Sequence, residues 1–361
     1  MENILDYIDQ CGDFSFEQSS FNEIDALILA QSAYFDFSYF AYKSSYQFNE
    51  LVGHRIITKM TEKTFNAQSN AKLLAAMVKS RRYRNITFRD FVDTKDLKQE
   101  LQFSAITYQL KSDFSYIAFR GTDISFLGWK EDFNMAFLPQ IPSQIAALAY
   151  IQQFCLQQTG QFAIGGHSKG GNLAVFAGIE LSAKSRQRLT KIYNFDGPGF
   201  RSHELNYKSQ LLNRMIYKVV PQGSIIGILF DSGELNIIRS HASGYWQHDP
   251  FSWSVKKSHF EVAEQLELSS KYLRETIPTW LENVDNETKE KVVSGLYQLL
   301  IDTGYQSVLE IEPFRLQYLK YMADELRKLP PETQSATLLL IKKLFESSLN
   351  NSKNRMRKKN D

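Results

Sequence analysis

At 361 residues and 41.7 kDa the chain has room for two domains of roughly 100–200 residues, or for one large domain with an appendage. A composition of 43% hydrophobic and 23% charged residues excludes a disordered or collagen-like chain. With 42 Lys and Arg against 40 Asp and Glu, the net charge of +2 excludes the global field of a nucleic-acid binder.

The first residues, MENILDYIDQCGDFSF, are acidic and lack a basic start followed by an apolar core, so no secretory signal is expected. Two cysteines, Cys11 and Cys155, cannot make a disulfide framework or a zinc site, and a reducing, cytoplasmic compartment fits them best. Residues 1–100 read as mostly helical, without obvious chemistry. Asn22 caps one helix, with Glu23 in its first turn, and NAKLLAAMVKS forms another.

From about residue 103 the pattern changes. FSAITYQL and SYIAFRG are two strands joined by a turn at Lys111–Asp113. A helix starts near Pro142 and stops at Gly160. The apolar runs QFAIGG, KIYNFDG, MIYKVVP and NIIRS then alternate with helical stretches, which indicates an α/β chain with a mostly parallel sheet covered on both faces. After about 260 the strand-like runs stop. Four helical segments follow, and then the basic run Lys353, Arg355, Arg357, Lys358 and Lys359. Such a run is expected to be a solvated terminus, with a weak contact to a lipid surface or RNA as the alternative.

Gly166-His167-Ser168-Lys169-Gly170 carries the strongest chemical signal. As a pattern Gly-x-Ser-x-Gly is weak, but here it follows an apolar strand and opens a helix. That is the context of a nucleophile elbow, in which the serine sits on a strained turn and its neighbours must be small. The helix start then aims free N–H groups, the Lys169 amide first, at an oxyanion.

Taken with Ala118-Phe119-Arg120-Gly121-Thr122, Gly128-Trp129-x-x-Asp132 and Phe195-Asp196-Gly197-Pro198-Gly199, this stretch resembles the class 3 lipases, an α/β-hydrolase family. It is more similar still to a bacterial lipase-like group with Lys after the nucleophile and a Gln-His-Asp-Pro-Phe-Ser-Trp motif. The resemblance spans roughly residues 20–260. It implies an α/β-hydrolase (lipase-like) domain over 1–260 with a helical N-terminal part; the helical extension read over 261–352 and the basic disordered tail over 353–361 lie outside it.

By that resemblance Ser168 is the nucleophile, and Thr122 and Lys169 form the oxyanion hole. Arg120 and Asp132 would brace their loop as an ion pair. The base must follow the strands, which leaves His241, His248 and His259, with His248 preferred beside Pro250. His54 and His203 lie in polar surroundings, and His167 is expected to point away from the nucleophile. The acid is the weak link, because Ser224 stands where the family places its Asp. Asp196, at a strand end, is the preferred replacement and Asp231 its rival; Asp249 is too close to His248 in sequence. Ile225, Ile226, Ile228, Leu229 and Phe230 read as a strand continuation or an acyl groove.

The expected activity is hydrolysis of carboxylic esters, acyl-lipid or short-to-medium acyl, without metal or organic cofactor. The partner would be a small-molecule or lipid ester and not a nucleic acid, and the oligomeric state stays open. An acyltransferase or thioesterase on the same residues, or a non-catalytic binding protein of this fold, are the alternatives.

Overall fold

The structure is a computed structural model that describes residues 2–283, apart from 41–42, 52, 124–130, 132–133, 136–137 and 232. Gly128, Trp129, Asp132, the three later helical segments expected after residue 283, and the basic tail lie outside the described residues.

Eight strands form one sheet in sequence order: β1 (Ser45–Gln47), β2 (Thr87–Asp96), β3 (Leu101–Lys111), β4 (Phe114–Phe119), β5 (Gln161–His167), β6 (Leu189–Phe195), β7 (Ile216–Pro221) and β8 (Asn236–Ile238). β1 to β4 pair antiparallel and β4 to β8 parallel. The β3–β4 hairpin turns at the expected place. The strands β1 and β2 were not expected within residues 1–100, where helices otherwise predominate. A short hairpin of β9 (Val255–Lys256) and β10 (His259–Phe260) lies outside the sheet.

Eight helices matter for the site: α1 (Ile4–Cys11), α2 (Glu23–Ser32), α3 (His54–Thr61), α4 (Ala67–Lys79), α5 (Pro142–Gln157), α6 (Lys169–Glu180), α7 (His203–Leu211) and α8 (Leu268–Asn283). Asn22 caps α2 by accepting from the Ile24 and Asp25 amides, and the Asp25 carboxylate returns a bond to the Asn22 N–H.

Parallel strands laid side by side in chain order, each joined by a right-handed crossover, put every crossover helix on the same face. Accordingly, α5, α6 and α7 share one core with Ile117, Phe119, Phe162, Ile164 and Ile192. The opposite face, carrying Tyr108, Tyr116, Ala118, Ala163, Tyr193, Phe195 and Val219, would be bare. The N-terminal helices cover it, together with Trp253 and Phe260 from the end of the domain. One buried ion pair ties this layer down. Arg82 is bidentate to Asp25 at 2.7 and 2.6 Å, and its guanidinium also donates to the carbonyls of Phe14, Ser19 and Ser20.

A mostly parallel eight-stranded sheet with helices on both faces and a strand–turn–helix elbow after β5 is an α/β-hydrolase fold. Among the described residues no helix is long and apolar enough to cross a membrane. Beyond β7 the chain does not continue as a strand. Residues 222–230 turn, and Ile225 and Ile228 pack with Val220, Leu266 and Leu273 under α8, which corrects the strand-continuation reading.

Candidate active site

The carboxyl ends of β4, β5, β6 and β7 converge at one edge of the sheet, and the chemistry-bearing residues sit there. Ser168 lies between β5 and α6 at φ 58° and ψ −134°, a left-handed conformation that a residue with a Cβ holds only when its surroundings enforce it. They do so through close packing. A Cβ at Gly166 would collide with the Gly170 backbone, and one at Gly170 with the Phe119 carbonyl, so a side chain at either place would push the elbow off β4. The Ser168 amide donates to the Phe195 carbonyl at 2.9 Å, which fixes the turn to β6.

Asp196 follows β6, also at positive φ (52°), and is fully buried. Its Oδ2 lies 2.6 Å from His248 Nδ1. Its Oδ1 accepts from the Ser224 hydroxyl at 2.5 Å, and that hydroxyl accepts in turn from the Gly227 amide at 3.1 Å. Ser224 therefore sits against the carboxylate rather than facing the histidine itself.

His248 ends a short 3-10 turn, Gly244–His248. The segment is irregular and is held by side chains. The Gln247 carbonyl accepts from Trp253 Nε1 at 2.7 Å, and the Gln247 amide group bridges the Gly223 N–H at 2.8 Å and Glu267 at 2.6 Å. Asp249 faces elsewhere, accepting from Asn66 and from the Phe251 amide, and burial pushes its carboxyl upward.

His167 departs from expectation. It does not point away: its ring packs against that of His248 with centroids 4.5 Å apart, and its Nε2 lies 2.9 Å from the His248 carbonyl oxygen. Burial first, and the neighbouring His248 second, hold its pKa well below the ordinary 6.5, so the ring is neutral. A carbonyl oxygen only accepts, so Nε2 carries the hydrogen.

Thr122 comes two residues beyond Arg120, where β4 gives way to a loop against the elbow. A Cβ at Gly121 would touch the Ser168 side chain at 3.0 Å. Arg120 anchors the start of this loop through bonds of 3.0 and 2.7 Å to Asp93 on β2, while Asp132, its expected partner, is outside the described residues.

The Lys169 side chain turns inward. It is almost wholly buried, with Nζ 2.7 Å from Glu131 and 3.1 and 3.0 Å from the two Gln102 oxygens. Sequence reasoning assigned Lys169 only its backbone amide and did not find Glu131, 38 residues away.

The remaining candidates stand apart. Asp231 pairs with Lys218 and caps its own turn by accepting from the Gly233 amide. His259, on β10, is exposed and bonds Glu23 at 2.8 Å. The His241 amide donates to the Ser252 carbonyl in the loop before His248, and His203 is exposed at the start of α7. Among the described residues no cluster of His, Cys, Asp or Glu is arranged to hold a metal ion.

Comparison with curated proteins finds no match. Among solved structures, the crystal structure of M37 lipase is similar over 58% of this chain and 70% of that one, at 17% identity and a TM-score of 0.35. A sequence model described as Mbeg1-like matches residues 77–298, more than half of the chain. The chain belongs to the Mbeg1-like family.

Proposed function

We propose that the protein is a serine hydrolase of carboxylic esters, with Ser168 as nucleophile, His248 as general base and Asp196 as the acid that orients it. The observation that carries this reading is the 2.6 Å contact of a fully buried Asp196 carboxylate with His248 Nδ1, with Asp196 following the strand to which the strained Ser168 elbow is hydrogen-bonded.

With Nδ1–H donated to Asp196, Nε2 is left as the basic nitrogen. It takes the Ser168 proton as Oγ attacks the ester carbonyl, and Asp196 stabilises the imidazolium that forms. The oxyanion meets the Lys169 N–H at the start of α6 and the N–H or hydroxyl of Thr122, while the helix dipole adds to the stabilisation. His248 returns the proton to the leaving alcohol, and water then cleaves the acyl-enzyme by the same steps in reverse.

Acyl-lipid or short-to-medium acyl esters are the proposed substrates. Two cysteines without a disulfide suit a cytoplasmic site of action. The non-catalytic alternative drew on the loss of an acid at position 224, and the carboxylate of Asp196 removes that motive. Labelling with a fluorophosphonate tests the reading. The wild-type chain should react within minutes and hydrolyse p-nitrophenyl esters, and Ser168→Ala should do neither while keeping its fold. Residual hydrolysis within about tenfold of wild type would identify the wrong nucleophile, because losing such a residue costs several orders of magnitude.

A further inference from the structure

A side chain of the N-terminal layer reaches the residue that precedes Ser168. Tyr34, just beyond α2, places its hydroxyl 3.3 Å from His167 Nδ1 and 3.4 Å from the His167 carbonyl oxygen. A Cβ at Gly121 would collide with the same hydroxyl. The phenol is therefore wedged between the residue before Ser168 and the loop that leads to Thr122.

On the other side of the His167 ring, Nε2–H donates to the His248 carbonyl at 2.9 Å. Since the ring is neutral, Nδ1 holds its lone pair, so toward it Tyr34 can only donate, with the His167 carbonyl as a second acceptor in reach of the same O–H. Two directed bonds thus run from just beyond α2 to the backbone of His248: Tyr34 O–H to Nδ1, then Nε2–H to the carbonyl. The two imidazole rings pack at 4.5 Å with 36° between their planes.

We propose that Tyr34 and His167 form a positioning pair that fixes the backbone and ring of His248 for proton transfer, so that the N-terminal layer completes the catalytic site. The inference rests on the hydrolase reading above. His248 has need of such a support, since it lies in an irregular turn with no strand ladder to hold it, and reacting groups misplaced by about 1 Å lose on the order of 10²-fold in rate. Neutrality of His167 also suits the place, because a second imidazolium packed against the His248 imidazolium would oppose its formation. Tyr34 lies outside residues 77–298, the part of the chain that matches the family.

The test uses the full-length chain and three variants: Tyr34→Phe, His167→Gln and His167→Phe. The readouts are the fluorophosphonate inactivation rate, kcat and KM on a p-nitrophenyl ester, and Tm. Tyr34→Phe should lower kcat about fivefold and His167→Phe on the order of 10²-fold, with KM within about twofold of wild type. His167→Gln should fall between them, because its amide can still donate to the His248 carbonyl. Tyr34→Phe and His167→Phe both within twofold of wild type would overturn the pair. So would a His167→Gln no faster than His167→Phe with losses that follow Tm, since that pattern is purely structural. A wild-type chain that takes no label sinks the hydrolase reading and this inference with it; labelled wild type with unimpaired variants sinks the pair alone.

Discussion

Lys169→Met separates the buried side chain of the elbow lysine from its backbone amide. Lys169 and Glu131 are 1% and 0% exposed and their charges sit 2.7 Å apart. Each charge is also satisfied by its surroundings: the ammonium donates to both Gln102 oxygens, and the carboxylate accepts from the Gln102 and Ser143 amides at 3.3 and 3.0 Å. Removing the ammonium leaves a buried carboxylate with two amide donors, at a cost of about 3–5 kcal/mol. Against a total stability of about 5–15 kcal/mol that is a large fraction. Glu131→Gln leaves an ammonium among neutral acceptors and sets an amide N–H against a backbone donor, for about 2–3 kcal/mol. The double variant buries no charge, so it should cost less than the sum by about 2–3 kcal/mol. Urea unfolding of the four proteins measures that coupling. Where Lys169→Met is still folded, it should take the fluorophosphonate within about threefold of wild type, because the proposed mechanism uses only its backbone N–H at the oxyanion. Additive losses would refute the pair as the source of the stability. Lost labelling at unchanged stability would put the ammonium in the chemistry.

Asp196→Asn should leave KM nearly unchanged and lower turnover at least ~10²-fold, since an amide cannot stabilise the imidazolium; Asp231→Asn should spare turnover and reduce the denaturation midpoint by stranding the buried Lys218. The reverse ranking would move the acid to Asp231. Burial holds His167 below 6.5, so between its lowered value and 6.5 the unfolded chain binds a proton that the folded chain refuses. The His167 contribution therefore makes stability rise with pH through that window and decline as pH falls below about 6.5; in Tm measured from pH 5 to 8, His167→Gln should flatten this limb. Truncation after residue 262 removes Leu266, Glu267 and Leu273, uncovers Val220, Ile225 and Ile228, and frees Gln247 from Glu267. The fragment should aggregate on size exclusion, and a monomeric, active 1–262 would contradict this.

The parallel half of the sheet was legible because its strands are covered on both faces and read as unbroken apolar runs. β2 was not. It lies near the edge, only Phe88 on it is buried, and a bulge between Arg89 and Val92 with Asp90 at φ 56° breaks its alternation. Residues 225–230 misled in the opposite sense. They are apolar because they pack under α8, and a buried turn has the same composition as a buried strand.

The reach of each contact along the chain decided what could be read of the site. The elbow is local, since strand, serine and helix occupy one stretch, and Asp196 was accessible as the last residue of an apolar run. The partners that hold them come from afar: Tyr34 is 133 residues from His167, His167 is 81 from His248, and Glu131 is 38 from Lys169. Nothing in the composition of the stretch after α2 marks Tyr34 as different from the aromatic residues around it. Ser224 shows the same limit in another form. Judged by its position alone, a serine where an acid is expected weakens the case for catalysis. Judged by its contact, it answers a need the position does not reveal. A carboxylate with no exposure requires donors on both oxygens, and His248 supplies only one. The Ser224 hydroxyl, 2.5 Å from Asp196 Oδ1, supplies the other, so the serine at position 224 completes the hydrogen bonding of an acid one strand away.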